Sequence, residues 1–256
     1  MSRAQHEPAP AWGARLRSAV RPAAAITVAV VLAGAVVWGV ERLRDPHTLP
    51  LRAVQVEGEF RHLSEVELQQ AVLPHVRGGF FTVDVARVQR AAQSLPWVQQ
   101  ASVRRVWPDT LQVHVVEQRA VARWGGQGLL NAEGELFRPA ENLPEGLPEL
   151  HGPEGREAAV LLQYGDALRL LAPGGLKVAR LVQDERRAWT LELEGGVTLA
   201  LGRGDPNARL ARFVRVYPTV FAERAARLRA VDLRYSNGFA VRWAEDEDRG
   251  APARRS

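Results

Sequence analysis

The chain has 256 residues, a formal net charge of +5 and no cysteine. This length allows two modest domains with separate cores, and the 46% hydrophobic content is typical of a folded protein. The lack of cysteine excludes disulfides, thiolate catalysis and zinc–thiolate sites. Arginines supply the charge but alternate with acids along the chain, so nucleic-acid binding is not expected.

The first feature in chain order is an apolar segment, Ala23–Val40, which contains no charged residue. As a helix its 18 residues span about 27 Å, close to the hydrocarbon thickness of a bilayer. Four arginines and a single acid precede it, and the positive-inside rule keeps such a flank cytoplasmic. The sequence therefore predicts a cytoplasmic tail at 1–21, a transmembrane helix at 22–41 and a linker at 42–50.

A cleaved signal peptide is the alternative interpretation of this segment. Ala33-Gly34-Ala35 fits the small-x-small pattern of a cleavage site. The apolar run nevertheless continues to Val40, past the point where cleavage would leave a polar start. A retained single-pass anchor is preferred, and a mature chain that begins at Val36 would contradict it.

The next stretch predicts one strand and two helices. Leu51–Glu57 alternates apolar and polar residues and ends at a glycine, which favours a strand. Ser64 and Glu67 form a capping box that opens a helix running to about Val72 or Leu73, before Pro74. A second helix, Val85–Leu95, has Asp84 as its N-cap and ends before Pro96.

A β-hairpin follows these helices. Ala101–Val106 and Thr110–Glu117 each alternate with period 2, and Trp107-Pro108-Asp109 separates them as a short turn. Leu111, Val113 and Val115 point to one face, while Gln112 and His114 point to the other. Together Leu51–Gln118 predicts a β-α-α-β-β domain, a three-stranded sheet with two helices on one face.

A second α+β region follows, with a mixed pattern of strands and helices. Its helices are predicted at Arg156–Leu171 and from Asp205-Pro206 onward, the latter kinked or ended by Pro218. The predicted strands and hairpin are Gly128–Asn131, Glu135–Arg138, Lys177–Gln183, Ala188–Glu194, Val197–Leu201, and the pair Arg229–Tyr235 and Phe239–Trp243 around Ser236-Asn237-Gly238. Pro139–Gly155 is predicted to be a loop, and the charged tail 245–256 to be disordered.

The residues give no support for catalysis, a metal site or a cofactor. The six histidines lack ligand spacing, and His114 is expected to be a surface residue on the polar face of its strand. Gly202-Arg203-Gly204-Asp205 precedes a helix but lacks the Lys-Ser/Thr of a phosphate loop, which favours a capped strand-to-helix turn. No serine or carboxylate pair forms a recognisable set. The chain is therefore predicted not to be an enzyme and to carry no cofactor.

The final hairpin is the most promising binding surface. A strand near the chain end often lies at a sheet edge, where its free N–H and C=O groups can receive a partner strand. Tyr235 and Trp243 are of the residue type that anchors partners. The alternative, which the pattern alone favours, is that both aromatic residues close the core of the second domain.

Several motifs in order along the chain resemble the FtsQ/DivIB family of bacterial cell-division proteins. They extend from the predicted span to Trp243 and read LPWVQQASVRRVWPDTLQVHVVEQ (95–118), LHGPEG (150–155), LGRG (201–204), RLARFVRVY (209–217) and VDLRY (231–235). The resemblance implies a bitopic inner-membrane scaffold at the septum, with a POTRA domain at 51–119 and a β domain at 120–244 in the periplasm. Its fold class is α+β, with an extended, antiparallel-rich sheet in the β domain.

The resemblance also implies the partners. In the family the C-terminal strand pairs with FtsB, which arrives in complex with FtsL, and the POTRA domain contacts other division proteins. Carried over by motif, the partner-binding residues are Arg187, Arg234, Tyr235, Asn237, Gly238, Phe239, Val241 and Trp243. Arg187 falls at a family arginine that faces acidic partner residues, which suits bidentate guanidinium–carboxylate pairing.

Two other functions stay open at this point. One is a POTRA-bearing chaperone or translocation component, although such proteins usually carry several POTRA units and a barrel. The other is an anchored periplasmic enzyme, for which no residue set argues. A midcell band from a fluorescent fusion would favour division over both. Self-association through the span or the POTRA domain is a further possibility.

Overall fold

The computed structural model describes residues 12–45 and 48–244, and the side chains of residues 12–25, 43 and 44 are not described. The chain divides into two units. The first contains the residues up to Glu59, Ser64–Leu95 and Gln100–Val115; the second contains Phe60–Leu63, Pro96–Gln99 and the residues from Val116 on. The predicted C-terminal tail, 245–256, lies outside the described residues.

The chain begins with a long helix, α1 (Trp12–Arg44). It extends beyond the predicted segment Ala23–Val40 at both ends, and the side chains of Ala23–Ala25 lie outside the described ones. Its large apolar side chains from Ile26 to Val40 are exposed. Among the helices of the described part of the chain, none has both the length and the apolar character to cross a membrane.

The first globular part has the predicted β-α-α-β-β order. Its elements are β1 (Ala53–Glu57), α2 (Glu65–Val72), α3 (Val85–Gln93), β2 (Val98–Val106) and β3 (Thr110–Glu117). The strands form a three-stranded sheet in the order β1-β3-β2, with β1 parallel to β3. The prediction of a three-stranded sheet with two helices is confirmed for this part of the chain.

Side-chain caps start both helices of this unit. The Ser64 hydroxyl accepts from Glu67 N at 3.1 Å, and Asp84 Oδ1 accepts from Arg87 N at 3.0 Å. The predicted end of this helix before Pro74 is confirmed, because α2 ends at Val72 and the chain then enters a 3₁₀ turn, Leu73–His75. Pro74 occupies an early position of that turn, where a missing N–H costs nothing.

The central strand β3 supplies much of the core of this unit. Leu111, Val113 and Val115 are buried, as their alternation predicts. Gln112, on the opposite face, is buried as well. Its amide is satisfied there, since it accepts from Arg104 and donates to Glu57 on the two neighbouring strands. The other residue of that face, His114, is exposed.

The second unit contains a nine-stranded sheet among the described residues, in the order β12-β11-β10-β9-β8-β7-β4-β5-β6. Helices α4 (Glu157–Leu171) and α5 (Pro206–Val220) pack against the sheet. The strands are β4 (Ala120–Trp124), β5 (Gly128–Asn131), β6 (Leu136–Phe137), β7 (Glu149–His151), β8 (Val178–Gln183), β9 (Trp189–Leu193), β10 (Thr198–Gly202), β11 (Leu228–Asp232) and β12 (Ala240–Trp243). Three adjacent pairs are parallel and the others antiparallel, so the predicted mixed, antiparallel-rich sheet is confirmed.

Three predictions for this unit need correction. The predicted loop Pro139–Gly155 contains β7, which pairs with β4 on one side and β8 on the other. Pro218 does not end α5, which continues to Val220. The last hairpin is shorter than predicted: β11 ends at Asp232 and β12 begins at Ala240, so residues 233–239 form a loop.

Candidate functional site

The candidate site is the free edge of the large sheet. Strand β12 occupies one end of the strand order and pairs antiparallel with β11, with Val241 opposite Val231 and Ala240 opposite Asp232. The other edge is the two-residue strand β6. An edge strand presents unpaired backbone groups, so β12 is a place where another strand can add to the sheet.

The register identifies which backbone groups of β12 face outward. Leu233 N donates to Ala200 O at 2.9 Å, so strand alternation turns the N–H and C=O of Val231 toward β10 and those of Ala230 toward β12. Ala244 N donates to Arg227 O at 2.8 Å, so the N–H and C=O of Arg242, two residues earlier on β12, also point toward β11. The N–H and C=O of Val241 therefore point away from β11, toward an added strand.

The loop 233–239 before β12 is held by one arginine of α5. Arg212 Nη2 donates to Leu233 O at 3.0 Å and to Tyr235 O at 2.6 Å, and its Nη1 donates to Ser236 O at 2.6 Å. Its guanidinium carbon lies 5.0 Å from the centre of the Phe239 ring, in a cation–π contact. One side chain thus fixes both ends of the loop.

Arg234, a predicted site residue, is bound to Asp232 at the end of β11. Its Nε donates to both carboxylate oxygens at 2.9 and 3.0 Å, and its Nη2 donates to Oδ2 at 2.6 Å. These hydrogen bonds hold the pKa of Asp232 below its usual value and raise the pKa of Arg234. The guanidinium is therefore fixed at the rim of the site while remaining largely exposed.

The aromatic residues of the site divide into two groups. Phe239 and Trp243 are half-buried and pack against the core, with ring centres 6.2 and 6.3 Å from that of Phe221. Tyr235 is 57% exposed. The interpretation that both Tyr235 and Trp243 close the core therefore holds for Trp243 alone, and Tyr235 projects from the surface.

Asn237 and Gly238 lie at the exposed turn of the loop. Residues 235–240 line an open depression of about 460 Å³. A Cβ added at Gly238 would meet no atom within 4 Å, and its φ lies outside the left-handed region. Nothing in the described part of this chain thus requires glycine at position 238.

The sheet brings Arg187 to the same end as this loop. Arg187 lies in the turn between β8 and β9, where Gln183 is opposite Trp189. Trp189 is opposite Gly202 at the end of β10, and β10 runs parallel to β11 toward Asp232. The β8–β9 turn and the loop 233–239 therefore lie at one end of neighbouring strands.

Arg187 has a left-handed backbone, with φ of 64°, which costs an L-residue about 1–2 kcal/mol. We expect Arg187→Gly to be more stable than Arg187→Ala by about 1 kcal/mol, because only glycine relieves this conformation. Chemical denaturation of the two variants measures the difference. Equal stabilities would contradict the backbone assignment.

Sequence reasoning missed Arg212, the residue that organises the loop. It stands within the motif RLARFVRVY but is one of several arginines there. Arg209 of the same helix donates to Leu201 O and, at 2.7 Å, to Arg203 O. The useful signal is spacing, since residues 209 and 212 are three apart and lie on one face of a helix. Among the described side chains, no group of three possible metal ligands occurs.

Two family models match the chain. The POTRA domain of FtsQ type matches residues 49–118. The C-terminal domain of the cell division protein FtsQ/DivIB matches residues 122–234. The first corresponds to the three-stranded sheet with its two helices, and the second to most of the nine-stranded sheet.

Curated relatives agree with both models. A protein of Allochromatium vinosum is 40% identical over 243 residues, which cover 94% of each chain. One of Coxiella burnetii is 40% identical over 206 residues, covering 80% of this chain and 85% of that protein. One of Escherichia coli K12 is 38% identical over 226 residues, covering 86% and 81% respectively. Each is named cell division protein FtsQ, which confirms the resemblance found in the sequence.

Proposed function

The chain belongs to the FtsQ/DivIB family of cell division proteins, and on this premise we propose that it is a non-enzymatic divisome scaffold that binds the FtsB/FtsL complex by strand addition at β12. The observation that carries the proposal is the position of β12 at the sheet edge, with the backbone groups of Val241 directed outward. A strand of FtsB would extend the sheet by one, as in other complexes formed by β-augmentation.

The surroundings of the edge suit a protein partner with acidic side chains. Arg186, Arg187 and Arg203 are exposed at the same end of the sheet as the loop 233–239. Several acids at this end are bound within the chain: Asp205 caps α5, Asp184 accepts from Ala188 N, and Asp232 pairs with Arg234. Arginine offers two parallel hydrogen bonds to a carboxylate, so Arg187 is the residue we assign to an acidic group of FtsB.

Aromatic residues provide the apolar part of the proposed interface. Exposed Tyr235 and half-buried Phe239 both line the depression of residues 235–240, while half-buried Trp243 packs against Phe221. Aromatic side chains of this kind contribute a large share of interface energy. Backbone pairing along β12 would give affinity, and the loop would give specificity.

We further propose that α1 anchors the chain in the inner membrane, with the N-terminus in the cytoplasm and the two units, a POTRA domain at 51–119 and a β domain at 120–244, in the periplasm. The support is the uncharged run Ala23–Val40 and the excess of arginine before it. The exposed apolar side chains on α1 from Ile26 to Val40 also favour lipid as their surroundings. The POTRA domain would contact other division proteins at the septum.

Tyr235→Ala and Gly238→Val test the proposed edge. We expect each to weaken FtsB binding at least about tenfold, because one removes an anchor and the other places a side chain where the partner strand approaches. Both should leave the free energy of unfolding within about 0.5 kcal/mol, since Tyr235 is exposed and Gly238 has open space around it. Affinity is measured with the full chain and the FtsB/FtsL complex in detergent.

Leu162→Ala is the matched control. Leu162 is 69% exposed on α4, away from β12. The Leu162→Ala variant therefore loses a similar area of exposed apolar surface, and it should bind FtsB as the native chain does. Trp243→Ala is a weaker test because Trp243 packs against Phe221 and its loss would also disturb the core. Native affinity in both Tyr235→Ala and Gly238→Val would contradict the edge assignment.

A further inference from the structure

Trp107 stands out on the first unit because 76% of its surface is exposed. It lies in the turn between β2 and β3, at the tip of a hairpin whose strands end at Val106 and begin at Thr110. A large aromatic side chain at such a tip has little contact with its own chain. The proposed role at the edge of the β domain does not use it.

The hairpin tip lies at the end of the sheet where the chain arrives from α1. Arg52 N and Ala53 N lie 2.9 and 3.5 Å from Asp109 O, and β1 runs parallel to β3 from that point. The preceding residues are held at the same place, since Phe80 N donates to Leu49 O at 2.8 Å and Pro50 bridges to Gly79.

The connection between α1 and this point is short. Helix α1 ends at Arg44 and Arg52 already contacts the turn, so residues 45–52 span at most about 28 Å even when fully extended. If α1 crosses the membrane, the tip of the hairpin is confined close to the bilayer surface. Such a tether raises the effective concentration of the Trp107 hairpin tip at the bilayer surface.

The side chains around the tip fit a lipid headgroup region. Arg104 and Arg105 are exposed on β2 and donate to neutral groups, the Gln112 amide oxygen and Val83 O. Arg52 is exposed as well, with Asp109 3.9 Å away. Phe81, in the loop tied to Leu49 and Arg105, is 49% exposed.

We propose that the Trp107 tip, with Phe81 and the arginines beside it, docks on the periplasmic surface of the bilayer and fixes the first unit close to the membrane. This rests on the membrane anchor of the proposed function. Tryptophan prefers the interface because its ring is apolar and its N–H is polar, and arginine is attracted to anionic headgroups.

The absence of cysteine makes the test direct. Asp109→Cys, beside Trp107, gives the full chain a single thiol for an environment-sensitive fluorophore. The labelled chain is reconstituted in vesicles of phosphatidylethanolamine and phosphatidylglycerol that contain a lipid with a quencher at headgroup depth. We expect a blue-shifted emission and strong quenching. Glu59→Cys, beyond the far end of β1, is the matched control and should show neither.

Trp107→Ser in the Asp109→Cys chain should abolish the blue shift and most of the quenching. Because Trp107 is so exposed, the substitution should not alter the melting temperature, which is checked on the same sample. Quenching that persists in Trp107→Ser would overturn the assignment to this residue.

Flotation of the vesicles separates this inference from the proposed function. A chain that does not float with the vesicles overturns the anchor and the docking with it. A chain that floats but has an unquenched label at position 109 overturns the docking alone, and Trp107 is then available to a protein partner. FtsB binding, measured on the same preparation, tests the edge strand independently of both outcomes.

Discussion

Arg212→Ala should lower the free energy of unfolding by about 2–3 kcal/mol and abolish most FtsB binding. Its guanidinium donates to three backbone carbonyls, those of Leu233, Tyr235 and Ser236, and a hydrogen bond from a charged donor contributes about 1.5–3 kcal/mol. The three bonds belong to one rigid group and are partly exposed, so their contributions are not additive. Loss of the group would free the loop that precedes β12.

The effect on binding follows from ordering of the loop. Residues 233–239 carry five of the eight predicted partner contacts: Arg234, Tyr235, Asn237, Gly238 and Phe239. A disordered loop must be fixed when FtsB binds, and the entropy of fixing it reduces the affinity. We expect a loss of at least about tenfold even though Arg212 itself need not touch the partner.

Arg215→Ala is the matched control for this prediction, since Arg215 is an exposed arginine on the same helix. Arg212→Lys is the informative intermediate, because its single ammonium cannot reach three carbonyls as a planar guanidinium does. Denaturation gives the stability, and amide hydrogen exchange of residues 233–239 reports the loop. If Arg212→Ala and Arg215→Ala have the same free energy of unfolding and the same amide exchange in residues 233–239, Arg212 does not organise the site.

Local signals in the sequence account for much of the fold. Ser64, Asp84 and Asp205 each cap the helix that they are predicted to start, because the cap depends on residues three or fewer positions away. The hairpin with Trp107-Pro108-Asp109 at its turn is also local. These features need no information from the rest of the chain.

Strand β7 shows where local signals fail. Glu149–His151 is three residues long and follows a proline- and glycine-rich segment, so its own pattern predicts a loop. It is a strand because β4 and β8 pair with it on both sides in parallel. Parallel pairing joins distant parts of the chain, and no periodicity within three residues can show it.

The candidate site was predicted in outline for similar reasons. A strand near the chain end suggested a sheet edge, and β12 lies at one. Tyr235 is exposed and Trp243 half-buried because β11 ends at Asp232 and a loop follows it. Three contacts hold the chain there: Arg212 with Leu233 O, Arg234 N with Asp232, and Leu233 N with Ala200 O. Those contacts involve residues far apart in the sequence, apart from Asp232 and Arg234.

Val241→Pro should abolish FtsB binding while leaving the chain folded. The N–H of Val241 points away from β11, so proline at this position removes no hydrogen bond of the sheet. Proline is tolerated on an edge strand where the N–H faces outward, and we expect a stability loss of at most about 1 kcal/mol. A partner strand would lose a backbone hydrogen bond and meet the proline ring.

Two further variants separate the backbone from the side chain. Val241→Ala shortens the same side chain but keeps the N–H, so it should bind FtsB close to the native affinity. Arg242→Pro removes an N–H that faces β11 opposite Ala230, and it should lower the free energy of unfolding by about 1–2 kcal/mol. Proline at position 241 should thus lower the affinity for FtsB, whereas proline at the adjacent position 242 should lower the free energy of unfolding.

This alternation is the signature that only strand addition produces. A partner that bound β12 through side chains alone would respond to Val241→Ala and Val241→Pro alike, and to Arg242→Ala as strongly as to Arg242→Pro. A partner strand instead responds to the direction of the backbone groups, which reverses from residue 241 to residue 242. Native affinity in Val241→Pro, with the fold intact, would exclude pairing at this position and leave the loop 233–239 and Arg187 as the proposed contacts.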